Sequence, residues 1–186
     1  MHRVVLMLVL TTVCSVALPR GAAAQEGFVN FLVGNTTTAS DSGGDGPRAV
    51  FGIAFGSLVP MAGAEIEFVY MPQLFDTGLA RTSRSFSVMG DVLVGPTIGP
   101  VKIYGAIGVG DLYVNLTSAA ADFSSHYLTV NGGAGAAVFF GAHLGVRGDL
   151  RYYHPIGVLP GDVAPFAIDP EQLKFWRPTV GLTLKF

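Results

Sequence analysis

Serine, histidine and aspartate side chains lie close together in one stretch of this sequence. Asp122, Ser124, Ser125 and His126 form that stretch, and His154 follows further along the chain. A serine hydrolase needs a base within hydrogen-bond distance of the serine and an acid that orients this base. Alternate residues of a strand share a face, so Ser124 and His126 could pair, whereas Ser125 and His126 could not. No lipase-type motif surrounds them, and we therefore predict no catalytic residues.

A second group of residues with ligand-binding chemistry is the acidic, glycine-rich segment Asp41–Gly46. Its two carboxylates fall short of the six to eight oxygen ligands that calcium prefers. His143 has no second histidine or cysteine near it in the sequence, and the single cysteine, Cys14, lies in an apolar segment at the amino terminus. We therefore expect no metal ion and no cofactor.

Residues 1–24 have the features of a secretory signal peptide. An apolar run, Val4–Leu18, follows a short basic start, and the small residues at 22–24 precede a cleavage site. The apolar run is too short for a transmembrane anchor and is broken by Pro19. We expect export through the general secretory route and one mature domain, residues 25–186.

The composition is that of a membrane protein without a membrane-spanning helix. Mean hydropathy is +0.50 and charged residues make up 13% of the chain, against about 25% in ordinary soluble domains. Residues 128–146 are the nearest alternative for a transmembrane helix, but glycines interrupt them. Nine basic and thirteen acidic residues remain after residue 24. This net negative charge excludes a basic nucleic-acid interface.

The last stretch, Lys174–Phe186, alternates between two kinds of side chain. One row is apolar (Trp176, Pro178, Val180, Leu182, Leu184 and Phe186), and the other contains Arg177, Thr179, Gly181, Thr183 and Lys185. A period of two predicts a strand with one apolar and one polar face. Trp176 and Phe186 fall at its two ends, where transmembrane strands carry a girdle of aromatic side chains. Pro178 lacks an amide hydrogen, so we expect a bulge or a register slip near it.

Seven earlier stretches predict further strands, and the first of them alternates poorly. They are Glu26–Gly34, Arg48–Leu58, Ala64–Tyr70, Arg84–Val94, Val101–Gly110, Leu128–Phe140 and Leu144–Tyr153. Long polar loops, at residues 35–47, 71–83, 115–125 and 154–173, alternate with short turns. An even number of amphipathic strands joined in this way predicts an all-β fold, an eight-stranded antiparallel up-and-down transmembrane β-barrel.

Four motifs resemble the strands of small bacterial outer-membrane β-barrels of the OmpA and OmpX type. They are VMGDVLVGP at 88–96, YGAIGVG at 104–110, GVRGDLRY at 145–152 and FWR at 175–177. This resemblance covers nearly all of the mature sequence. It implies a place in the cell outer membrane of a Gram-negative-type bacterium, among outer-membrane lipid and lipopolysaccharide. It also implies that the barrel-assembly machinery recognises the C-terminal strand, which ends at Phe186.

The polar rows of the strands carry charges that should face the interior of such a barrel. These residues are Glu65, Glu67, Asp91, Lys102, Arg147, Asp149, Arg151, Arg177 and Lys185. Buried charges are costly unless they are paired, so we expect an ion-pair network in the lumen. An eight-stranded barrel is only wide enough for its side chains to fill it.

These patterns predict a non-enzymatic integral outer-membrane protein with a structural or surface-interaction role. Its four long loops would face the surroundings and bind a surface, a partner or a ligand. Two alternatives remain open. One is a narrow channel for small or hydrophobic solutes, and the other is an enzyme that modifies lipids at the rim of the barrel.

Overall fold

The structure, a computed structural model, describes residues 26–38, 48–72, 80–118, 122–158 and 173–186. The predicted signal peptide, residues 1–24, lies outside this part of the chain, as does the acidic segment Asp41–Gly46.

Eight long antiparallel strands and one very short strand form a single closed sheet. They are β1 (Glu26–Thr38), β2 (Arg48–Leu58), β3 (Ala62–Met71), β4 (Ala80–Val94), β5 (Thr97–Ile98), β6 (Val101–Ser118), β7 (Asp122–Phe140), β8 (Leu144–Val158) and β9 (Phe175–Lys185). Each long strand pairs with its neighbours in the chain, β1 pairs with β9, and β4 pairs directly with β6. The short β5 pairs only with the start of β6, within the turn after β4. The predicted eight-stranded barrel is confirmed.

The barrel has two distinct ends. At the turn end, short connections join β2 to β3, β4 to β6 and β7 to β8, and the start of β1 at Glu26 and the residue Phe186 also lie there. Gly99 and Gly141 adopt positive φ angles of 59° and 76° in two of these turns, a conformation that glycine tolerates best. The opposite end, called the loop end below, carries the four long predicted loops.

Side chains alternate between the lumen and the outer wall along each strand. In β9, Arg177, Thr179 and Thr183 are buried, whereas their neighbours Val180 and Leu182 are exposed. Large apolar residues such as Ile107, at 68% exposure, cover the outside of the barrel. In water this surface would be unfavourable, but it suits a barrel surrounded by lipid.

Several strands extend further into the predicted loops than their alternation indicated. The strand β4 begins at Ala80 rather than Arg84. The strand β6 ends at Ser118 rather than Gly110, and β7 begins at Asp122 rather than Leu128. Residues 80–83, 115–118 and 122–125 of the predicted loops are therefore strand, as are the first residues of 35–47 and 154–173. Near the loop end, the outer face of these strands is polar, whereas inward-facing residues such as Leu112 and Tyr127 are buried and apolar. The lipid-facing alternation therefore ends while the hydrogen-bond ladder continues.

The expected register slip at Pro178 is wrong. Gly34 pairs with Thr179 and Thr37 pairs with Trp176, so the register between β1 and β9 is the same on both sides of the proline. The ladder is interrupted there, because a proline has no amide hydrogen to donate. The register shifts of the described strands lie elsewhere, near Ala80 in β4 and at Leu128 in β7.

The helical alternative for residues 128–146 is also wrong. This stretch contains most of β7, a short turn and the start of β8. No helix in the described residues is long and apolar enough to cross a membrane.

Apolar side chains fill part of the lumen in addition to the predicted charged residues. At the loop end, a cluster of buried residues contains Val50, Val69, Met71, Met89, Leu112, Val114, Tyr127, Tyr153, Leu173 and Phe175. At the turn end, a second cluster contains Phe28, Leu58, Leu93, Tyr104, Ala106, Ala137 and Phe139. Inward-facing Phe28 and Leu32 also explain why β1 alternates poorly. Two apolar layers thus fill the lumen above and below its charged residues.

Candidate functional site

The charged residues of the lumen come from two opposite parts of the wall. The strands β3 and β4 carry an acidic side, where Glu65 and Asp91 are direct cross-strand neighbours. The strands β8 and β9 carry a basic side, where Arg151 lies directly opposite Arg177. Like charges in such positions repel each other. Closure of the barrel brings the two sides together and converts this repulsion into attraction.

Arg147 binds two carboxylates with its planar guanidinium group. Its Nη1 and Nη2 atoms donate to the two carboxylate oxygens of Glu65 at 2.6 and 2.9 Å. Its Nε and Nη2 atoms donate to Asp149 at 2.7 and 3.0 Å. These paired, charge-assisted hydrogen bonds are the geometry that arginine satisfies best.

Arg151 lies at the centre of the network. Its Nη2 atom donates to Glu65, and its Nη1 atom is 3.0 Å from Asp91 Oδ2. Longer contacts reach Asp149 at 3.4 Å and Glu67 at 3.9 Å. Because the side chain is fully buried, each of these interactions acts in a medium of low polarity and is correspondingly strong.

Arg177 extends the network toward the apolar cluster at the loop end. Its Nη2 atom donates to Glu67 Oε2 at 2.8 Å, and its guanidinium group lies 4.8 Å from the centre of the Tyr153 ring. Tyr153 donates its hydroxyl to Glu67 at 3.1 Å and stacks on Phe175 with ring centres 4.8 Å apart. The aromatic layer and the ion pairs are therefore one continuous packing unit.

Two of the nine predicted lumen charges lie apart from this network, which corrects the prediction. Lys102 is buried at the turn end, and its ammonium donates to the carbonyl oxygen of Val59 at 3.1 Å. Lys185 pairs with Glu26 at 2.7 Å and lies 4.1 Å from the Phe139 ring centre. Both lysines belong to strand ends, and the apolar cluster at the turn end lies between them and the arginines. The network itself therefore holds four carboxyl groups and three guanidinium groups.

Three uncharged side chains complete the network and were not predicted as part of it. Tyr104 donates to Asp149 Oδ1 at 2.6 Å, and Asn131 donates to Asp91 Oδ1 at 2.7 Å. Tyr153 is the third. Each of these residues lies an even number of positions from an inward-facing residue on its own strand. The alternation in the sequence therefore already placed all three side chains in the lumen.

Small residues on β6 make room for the acidic side chains. A Cβ atom at Gly108 would lie 2.0 Å from Asp91 Oδ1 and 2.7 Å from the Gly90 carbonyl oxygen. A Cβ atom at Gly105, which faces outward on the same strand, would meet no heavy atom closer than 3.9 Å. The side-chain size at position 108 therefore decides whether Asp91 can reach Arg151.

We expect Gly108→Ala to destabilise the folded barrel by about 1–3 kcal/mol, since the added methyl group displaces Asp91 or the backbone. Gly105→Ala is the matched control and should change stability by less than about 0.5 kcal/mol. Urea-induced unfolding in lipid vesicles measures both. Equal effects of the two substitutions would show that space in the lumen does not limit the network.

The predicted serine and histidine residues lie at the loop end, on different faces of β7. Ser125 is buried toward the lumen, whereas Ser124 is exposed and shares the outer face with His126. The Nδ1 atom of His126 is 2.6 Å from Asp111 Oδ2 on β6. Asp111 was not predicted as a partner of His126. Asp111 lies two residues from the outward-facing Val109 on β6, so the alternation already placed its side chain on the outer face.

The other residues of that group do not join this pair in the described structure. His154 lies on β8, where it pairs in register with Val130 rather than with His126. Asp122 begins β7, and its side chain lies outside the described part. No group of three or more potential metal ligands is found among the described residues.

A family model for the outer membrane protein beta-barrel domain matches residues 6–186. The chain belongs to this family. Membership places this outer-membrane barrel in the envelope of a Gram-negative bacterium. Comparison with curated proteins gives no sequence match.

Solved outer-membrane barrels share the fold. Neisserial surface protein A (NspA) superposes with a TM-score of 0.66 at 12% identity, covering 90% of this chain and 100% of that chain. The N-terminal β-barrel domain of OprF from Pseudomonas aeruginosa gives 0.55 at 12% identity, with 86% and 97% covered. Ail from Yersinia pestis, in complex with the heparin analogue sucrose octasulfate, gives 0.57 at 13% identity, with 87% and 97% covered. At these identities, the similarity concerns the fold.

The two predicted girdle residues of this outer-membrane barrel occupy opposite ends of β9. Trp176 is 43% exposed and packs on Tyr152 of β8, with ring centres 5.0 Å apart. Phe186 is 78% exposed, and its backbone exchanges hydrogen bonds of 2.9 and 3.0 Å with Gly27. The final residue therefore takes part in closing the barrel through its backbone.

Proposed function

We propose that this protein is a non-enzymatic outer-membrane barrel with a closed interior that acts through its loop end. The observation that carries the proposal is the filling of the lumen. The arginines of the network are at most 3% exposed, and apolar clusters lie on both sides of them. The network serves as a polar core that holds the wall rigid. Interaction with the surroundings then falls to the loops and to the strands that carry them.

The β6–β7 hairpin is a prominent part of this loop end. On the outer face of β6, Tyr113 pairs with Phe86 of β4, and β6 continues beyond this aromatic pair to Ser118. These five further residues correspond to about 16 Å of strand at 3.3 Å per residue. The hairpin thus provides a stiff support for a binding surface beyond the lipid.

The charge of the four loops indicates which partners they favour. Residues 35–47, 71–83, 115–125 and 154–173 contain one arginine, Arg81, and seven acidic residues: Asp41, Asp45, Asp76, Asp122, Asp162, Asp169 and Glu171. Ail is known in complex with a polyanionic heparin analogue. The acidic loops of this chain instead favour a partner that is basic or uncharged, because a polyanion would be repelled.

We expect vesicles that carry the folded barrel to bind polylysine but not heparin. Replacing Asp162, Asp169 and Glu171 by their amides should weaken polylysine binding severalfold, since long-range attraction scales with charge. Glu26→Gln, at the turn end, is the control. Flotation at low and high salt measures binding. Heparin binding by the wild type would contradict the proposed loop partner. Single-channel conductance steps in a planar bilayer would contradict the closed interior and favour the narrow channel.

A lipid-modifying enzyme is a second candidate because of the Asp111–His126 pair. An acid that orients a histidine is one requirement of a serine hydrolase, and Ser124 lies on the same outer face. A phospholipase assay with the folded barrel tests this function. Activity that both His126→Ala and Ser124→Ala abolish would establish it, and an inactive wild type would remove it.

We further propose how the protein reaches the membrane and sits in it. Residues 1–24 direct export through the general secretory route, and the barrel-assembly machinery recognises β9 with its terminal Phe186. Trp176 and Phe186 then lie at the two interfaces of the lipid layer, where aromatic side chains are favoured. Outer-membrane lipid and lipopolysaccharide surround the apolar wall.

A further inference from the structure

A row of aromatic side chains crosses the outer wall near the loop end. Tyr70, Phe86, Tyr113 and His126 are consecutive cross-strand neighbours on β3, β4, β6 and β7. Below this row, the outer face of β4 is apolar, with Val92 and Val94 more than half exposed. Aromatic side chains bordering an apolar band mark the boundary between lipid tails and headgroups.

A recess of about 320 Å³ opens in the wall at this boundary. Its lining is formed by Tyr70, Arg84, Ser85, Phe86, Tyr113 and Asn115. The aromatic pair Phe86 and Tyr113 forms one end, and the polar pair Arg84 and Asn115, two residues closer to the loop end, forms the other. The recess is therefore apolar where acyl chains lie and polar where headgroups lie.

Arg84 is exposed at the polar end. It makes no hydrogen bond or ion pair within the described residues, which distinguishes it from the other cations whose side chains are described. Arg48 and Lys174 have partners, the two remaining lysines bind Val59 and Glu26, and the other arginines with described side chains belong to the lumenal network. A guanidinium group that has no partner among the described side chains and lies at a headgroup boundary is suited to a phosphate, which it can bind through two hydrogen bonds.

We propose that this recess is a binding site for a phosphorylated lipid of the outer membrane. The phosphate lies on Arg84, and an acyl chain packs between Tyr70, Phe86 and Tyr113. A free anion would gain only the Arg84 contact, whereas a lipid gains the apolar contacts as well. The inference depends on the place of the barrel in the outer membrane and not on the loop partner proposed above, so each can fail without the other.

Native mass spectrometry of the folded barrel, titrated with purified lipid A, tests the site. We expect Arg84→Gln to weaken lipid A binding roughly tenfold, since a hydrogen bond to a charged group is lost. Lys174→Gln removes a cation at the same end, on the far side of the barrel, and should leave binding unchanged. Tyr113→Ala should weaken the binding of lipid A and of dephosphorylated lipid A alike.

Three results would overturn the proposal. The first is wild-type affinity in Arg84→Gln, and the second is an equal loss in Lys174→Gln, which would indicate attraction by overall charge. The third is displacement of lipid A by inorganic phosphate, which would indicate a site for a soluble anion. Heat-modifiable gel migration confirms that each variant is folded before it is titrated.

Discussion

Replacing Arg151 with methionine is expected to destabilise the folded barrel by about 3–5 kcal/mol, because buried carboxylates lose their central cation. The side chain is fully buried. Its guanidinium group lies within ion-pair distance of four carboxylates, those of Glu65, Glu67, Asp91 and Asp149. Methionine fills similar space but compensates none of these charges. Urea-induced unfolding in phospholipid vesicles, followed by the fluorescence of the single tryptophan, Trp176, measures the loss.

Two further variants distinguish the contribution of the buried network to stability from that of an exposed ion pair or of a single charge. Lys185→Met breaks an ion pair with Glu26, whose side chain is 48% exposed, and should cost only about 0–1 kcal/mol. Asp91→Asn removes one of four carboxyl groups that face three guanidinium groups, and it should cost less than Arg151→Met. If Lys185→Met were as damaging as Arg151→Met, burial of the network would not be the source of its stability.

Replacing Ile107 with arginine is expected to destabilise the barrel by about 2–4 kcal/mol, the cost of a cation at the midplane of a bilayer. Ile107 lies on the outer face of β6 and is 68% exposed in the protein alone. For a protein surrounded by water, a substitution at such a site would change stability by less than about 0.5 kcal/mol. Unfolding in vesicles measures the difference directly.

Ile98→Arg is the matched control. Ile98 is 64% exposed, almost as much as Ile107, but it lies in the turn after β4. At this level a charge reaches water, and the expected cost is about 0–1 kcal/mol. Equal costs at the two positions would contradict the assignment of the outer rows to lipid.

The lengths of the strands show where the sequence signal ends. Within the apolar band, each strand has one lipid face, and alternation located β2 and β9 to within two residues. Toward the loop end, the outer face is polar and the inner face carries apolar residues such as Leu112 and Val114, and the sequence indicated loop where β6 and β7 continue. Hydrogen bonds between backbones maintain these extensions, and backbone pairing leaves little trace in side-chain type.

Inward-facing apolar residues were the main feature of the lumen that was not predicted. Phe139 and Leu112 are buried in the lumen, where only an ion-pair network was expected. The alternation along a strand determines whether a side chain faces the lumen or the outside. It does not determine which type of side chain each level of the lumen requires along the barrel axis. Phe139 lies near the turn end of the lumen and Leu112 toward the loop end, and apolar packing at both levels seals the charged centre from water.

The sequence by itself determined the strands, their faces and the family, because a two-residue period and a lipid-facing row are local properties of the chain. The tertiary structure alone decided which charges meet. Glu65 and Arg147 are 82 residues apart in the chain, and Glu67 and Arg177 are 110 residues apart. They face each other only after β1 pairs with β9, because the curvature of a closed sheet sets the distances across its lumen.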